Sequence, residues 1–118
     1  MYKDYSVYQA LEKLIISAGV TVEYRKVPDD AIDGEIWARA DCDARKIMMP
    51  DDEAFPDDDT ATLILGHEMG HIISGNESPD DPVDRKQNEA ECDLIGVYLY
   101  KLALMIAENE AEKMFKEV

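Results

Sequence analysis

His67-Glu68-Met69-Gly70-His71 decides how this chain is read. Four residues along a helix make a little over one turn, so His67 and His71 project from one face and two imidazoles can grip one metal ion. Glu68, next to the first imidazole, can reach a metal-held water and take its proton, the general-base role in metal-assisted hydrolysis. The chain's 2 histidines both fall in this pattern. The competing reading is a metal-free helix on which the same spacing arises by coincidence.

The residues on either side argue for a buried helix that carries a site. Asp57-Asp58-Asp59-Thr60 place capping and acidic groups where a helix start leaves N–H groups unpaired and its dipole is positive. Leu63, Ile64, Leu65, Met69, Ile72 and Ile73 give it apolar surface along its length, and Gly75 stops it. Gly66 and Gly70 lower helix propensity, so each points to a neighbouring element whose backbone comes close, through tight packing alone or for function.

A catalytic zinc site takes three protein ligands and keeps one position open, so a third ligand is expected elsewhere. After Ser78-Pro79-Asp80-Asp81-Pro82 the run Val83 to Asp93 reads as a polar-to-apolar helix start. Glu89 and Asp93 stand four residues apart on one face. Glu89 can bind the metal while Asp93 accepts the second ring N–H of a ligating histidine.

Asn88-Glu89-Ala90-Glu91-Cys92-Asp93 resembles the NExxxD signature of the gluzincins, the thermolysin-like peptidases. It also resembles the ExEA(D/N)xFA stretch of the ImmA/IrrE family of small intracellular metallopeptidases, with Cys92 and Gly96 in place of the usual alanines and Ile95 in place of the usual phenylalanine. The resemblance covers the two site helices closely and the preceding strands loosely. It implies a zincin-like domain over residues 1–118, Glu89 as third ligand to one Zn2+, Asp93 behind a histidine, and a protein substrate such as a repressor. Glu91 is the alternative metal ligand. On a helix it points roughly 200° from Glu89, so only one of the two can face the ion. Glu89 is preferred because it has the acid partner at i+4.

Other motifs fit less well. The metzincin extension requires glycine at position 74 and histidine at 77, where the chain has Ser74 and Glu77. Asp51-Asp52-Glu53 and Asp57-Asp58-Asp59 lack the alternation and central glycine of a calcium loop and read as solvated. Cys42 and Cys92 make no disulfide framework. Cys92 reads as packed in a helix, Cys42 as a surface thiol in the turn 40–44, and neither as a ligand.

At 118 residues the chain is read as one domain. Its net charge of −15 argues against direct contact with nucleic acid and permits attraction of a basic protein segment. The start lacks the basic and uninterrupted apolar regions of a signal peptide, and Leu94 to Ala107 is too short and contains Lys101, so neither a leader nor a membrane span is read. A cytoplasmic location follows, with oligomeric state open, although the apolar C-terminal helix could pair in a dimer.

Periodicity predicts an α+β fold: a small twisted three-stranded sheet packed against an N-terminal helix, the HExxH helix and a C-terminal helix carrying Glu89. The first helix runs from Tyr5 to Ser17, with Tyr8, Leu11, Leu14 and Ile15 on its apolar face, and ends at Gly19. Strands are expected at Val20–Arg25, Gly34–Arg39 and Arg45–Met49, the last two as a hairpin. A break is expected at Glu108-Asn109-Glu110. An edge strand beside the metal could pair with an extended peptide, and Gly34 to Arg39 is the candidate, with Trp37 and Arg39 read as structural.

The favoured reading is a zinc endopeptidase with Glu68 as catalytic base and His67, His71 and Glu89 as ligands. With no third histidine, Tyr98, Tyr100, Arg39, a backbone N–H or the metal alone must steady the oxyanion. The alternative is a zinc-containing, antirepressor-like interaction module with little or no turnover.

Overall fold

Helix α1 (Ser6–Ser17) has no cap of its own, because the N-cap position is Tyr5 and its side chain makes no capping bond. Asp58, distant in sequence, supplies the missing acceptor: its carboxylate takes the N–H of Val7 at 3.0 Å and of Tyr8 at 2.9 Å. At the other end Gly19 adopts φ 85°. The Gly19 and Val20 N–H groups close back on the Ile16 and Ile15 carbonyls, the Schellman arrangement that glycine makes accessible. The helix therefore ends where the sequence predicts.

The structure is a computed structural model that describes residues 2–26, 38–51, 54–75 and 80–116, with side chains described as far as 113. It is α+β. Strands β1 (Thr21–Arg25), β2 (Arg39–Asp41) and β3 (Lys46–Pro50) form a mixed sheet in the order β1-β3-β2. β1 runs parallel to β3 with Thr21 opposite Lys46, and β2 runs antiparallel to β3 with Arg39 opposite Met48. The expected hairpin is present. Asp41 Oδ1 takes the Ala44 N–H at 3.0 Å and the Arg45 N–H reaches the Cys42 carbonyl, so the acidic turn is held by its own residues. The predicted strand Gly34–Arg39 meets the described residues only at its end; 34–37, Trp37 among them, lie outside them.

Two further helices complete the fold, α2 (Asp58–Ser74) and α3 (Pro82–Lys116). Asp57 caps α2 by accepting the Thr60 N–H at 2.8 Å, and Gly75 at φ 73° closes it. α3 is one helix of 35 residues. The break expected at Glu108-Asn109-Glu110 is absent: no glycine or proline stands there, and glutamate and alanine neighbours keep the run helical.

The core lies where α1 meets the sheet and α2. Tyr8, Leu11, Ile15, Ile47, Met49 and Leu65 are fully buried, each apolar chain worth about 1.5–3 kcal/mol. Leu14, expected on the apolar face, is only half-buried. Tyr2 stacks on Tyr8 with ring centroids 4.0 Å apart and donates to the Pro50 carbonyl at 2.6 Å, tying the chain's start to β3.

α2 packs most extensively on α3, and glycine permits the contact. A Cβ on Gly66 would stand 2.9 Å from the Gly96 Cα, and one on Gly70 would stand 2.9 Å from the Cys92 Cα. The two backbones are in contact at both levels, which is the close approach that Gly66 and Gly70 foreshadow. Cys92 is fully buried there, and burial pushes its thiol up to about 11, so it packs as a neutral side chain.

Candidate metal centre

The backbone contact between α2 and α3 fixes which side chains face each other. His67 and His71 lie on the side of α2 that meets the first third of α3. Their rings stand 4.9 Å apart at 79°. His71 is buried and His67 half-buried. His67, Glu68 and His71 each bring one ligand atom within 4.8 Å of the others, and this group could hold a metal ion.

Glu89 comes to the same place from α3. Its Oε2 lies 2.9 Å from His67 Nε2 and its Oε1 lies 3.2 Å from His71 Nε2. One carboxylate therefore addresses both imidazoles. Asp93, one turn further along α3, places Oδ1 at 2.7 Å from His67 Nδ1. A proton held on Nδ1 by that carboxylate leaves the Nε2 lone pair directed at the shared centre.

Glu91 is elsewhere. It is exposed, within 3.4 Å of Gln87 Nε2, and lines a separate cleft with Ser74, Asp84, Gln87 and Asn88. The two glutamates thus occupy different faces of α3, as their spacing requires.

Glu68 lies beside the imidazoles and is 8% exposed. Burial pushes its carboxyl above the usual carboxylate range, while the nearby His71, His67 and Arg39 oppose that shift and Glu89 adds to it. A carboxylate moved toward neutral pH is a better proton acceptor in a reaction than an ordinary surface glutamate.

A cavity of about 430 Å³ opens over these groups, lined by Ala38, Arg39, Ala40, His67, Glu68, His71 and Glu89. Its far wall is β2, one of the two edge strands of the sheet among the described residues. Neither tyrosine named for the oxyanion belongs to it. Tyr100 donates to Asp59 Oδ1 at 2.9 Å near the start of α2, and Tyr98 is 65% exposed on the outer side of α3.

Two features are not foreshadowed by the sequence. Cys42, read as a surface thiol, is half-buried and donates to the His71 carbonyl at 3.2 Å, so the hairpin turn is tied to the end of α2. Ser74 Oγ donates to the same carbonyl at 3.2 Å and lies 3.4 Å from Asn88 Nδ2. That chain of contacts braces α3 immediately before Glu89. Neither cysteine nor serine carries a motif that would give such a contact away.

No described helix is long and apolar enough to cross a membrane. Comparisons with protein-family models, with curated proteins and with solved structures find no match.

Proposed function

We propose that this chain is a zinc-dependent peptidase of gluzincin-like type, akin to the ImmA/IrrE enzymes, that cuts a peptide bond in a cytoplasmic protein such as a repressor. The observation that carries this reading is the Glu89 carboxylate, 2.9 and 3.2 Å from the two Nε2 atoms, with Glu68 in the same cavity. Ligands about 2.0–2.1 Å from a tetrahedral zinc stand roughly 3.3 Å apart. The two nitrogen–oxygen separations, one from each oxygen of the carboxylate, lie within about 0.4 Å of that spacing. Two imidazoles and one carboxylate are also a donor set typical of catalytic zinc.

Held by His67, His71 and Glu89, zinc would polarise a carbonyl and lower the pKa of water toward ~7. Glu68 takes a proton from the attacking water and passes it to the leaving amine nitrogen, a role worth ~10²–10⁴-fold in rate. Asp93 keeps His67 in the tautomer that presents Nε2. The edge of β2 offers backbone groups with which an extended substrate pairs, and the small side chains of Ala38 and Ala40 leave room for its approach.

One observation favours a second reading, an interaction module with little turnover. Leu94, Tyr98 and Met105 are each more than half exposed along one side of α3, and Val97 and Leu102 flank them. Such a face suits a protein partner as readily as a substrate.

Incubating a lysate of the source cells with wild type and with Glu68→Gln separates the two. The peptidase reading expects a protein that Glu68→Gln captures intact and wild type leaves as fragments. Identical products from both, with the same protein captured by both, would replace it with the interaction module.

A further inference from the structure

A peptidase must stabilise the negative charge that develops on the scissile carbonyl oxygen, and among the described residues one cationic side chain lines the cavity. Resting on the peptidase reading, we propose that Arg39 is that stabiliser, donating guanidinium N–H groups to the oxyanion from the edge of β2.

The placement follows from the fold. β2 lies against α2, and Arg39 sits at its start between Ala38 and Ala40, sharing the cavity with His67, Glu68, His71 and Glu89. Of the other side chains named from the sequence, neither lines the cavity: Tyr100 is bonded to Asp59, and Tyr98 faces outward from α3. The chain has 2 histidines in total and both face Glu89, so no imidazole is left for the task.

The movement of charge favours a cation at the carbonyl oxygen. As water adds to the amide, Glu68 takes its proton and the negative charge passes from that carboxylate to the carbonyl oxygen. In the step itself the water oxygen bonds to the carbonyl carbon, one water proton moves to Glu68, and Arg39 donates to the oxygen as it gains charge. Collapse re-forms the carbonyl, breaks the C–N bond and returns the proton from Glu68 to the amine. The guanidinium stays protonated throughout and is worth most where its interaction strengthens in the transition state.

The test uses the zinc-loaded full chain and two probes. An N-acylated phosphinic dipeptide copies the tetrahedral oxyanion, whereas acetohydroxamate binds zinc without one. Arg39→Met is expected to hold zinc at wild-type stoichiometry and bind acetohydroxamate within about twofold of wild type. It should bind the phosphinic dipeptide about 10²-fold more weakly, and Arg39→Lys should lie between. Equal binding of the phosphinic dipeptide by wild type and Arg39→Met would overturn the role of Arg39 and leave the peptidase reading standing. Failure of zinc-loaded wild type to bind either probe would overturn both.

Discussion

Asp93 places a carboxylate directly against His67 in the candidate site. Its carboxylate lies 2.7 Å from His67 Nδ1, so the ring can lend Nε2 to a metal only in the orientation that Asp93 fixes. Removing such a partner leaves the ligand in place but lets the ring turn and lose basicity, which typically costs 10–100-fold in metal affinity. Asp93→Ala is therefore expected to weaken zinc binding by about that factor while the far-ultraviolet circular dichroism stays that of wild type. Titration against a competing chelator measures it, and an unchanged affinity would remove Asp93 from the site. The residue pattern was readable in advance because the spacings 67/71 and 89/93 are each one helical turn. The acid at i+4 already favoured Glu89 over Glu91 in the sequence, and the structure turns Glu89 toward the imidazoles while Glu91 lies near Gln87.

The α2–α3 pair carries the site at the scale of elements. His67 and Glu89 belong to different helices and meet because Gly66 and Gly70 let α3 approach to backbone contact at Gly96 and Cys92. A side chain at position 70 would meet backbone, which cannot swing aside as a flexible side chain would. Gly70→Val is expected to cost about 1–3 kcal/mol in chemical denaturation by overpacking and to weaken zinc binding, because the helices separate at the level of the ligands. Unchanged stability and affinity would show the contact to be slack. The two glycines signalled this approach in the sequence, although not which element would supply it. The sheet was legible less fully. Alternation marked β1 and β3, and the acidic turn marked the hairpin, whereas the contact between Cys42 and the His71 carbonyl had no local signature. The break assigned at Glu108-Asn109-Glu110 put polarity ahead of propensity, and the helix continues because nothing there interrupts its hydrogen bonding.

The molecule as a whole divides between a core and a seam. The core joins α1, the sheet, the inner side of α2 and, through Ala103 and its neighbours, the middle of α3, with Asp58 bridging α1 to α2 through two backbone N–H groups. The candidate metal centre lies at the seam between α2 and the start of α3, and its polar residues are not members of the apolar cluster. Metal-free protein should therefore stay folded. Zinc at 100 times its dissociation constant should add about 2.7 kcal/mol, seen as a rise in melting temperature that Glu89→Ala does not show. Loss of all structure on chelation would mean that the seam, and not the core, holds the fold.

Metal content measured on purified protein bears most directly on the claim that His67, His71 and Glu89 form one zinc site. One zinc per chain in wild type and in Glu91→Ala is expected, with loss of the metal in His67→Ala, His71→Ala and Glu89→Ala. A wild-type chain that takes up no zinc, or a Glu89→Ala chain that keeps it while Glu91→Ala does not, would contradict the assignment.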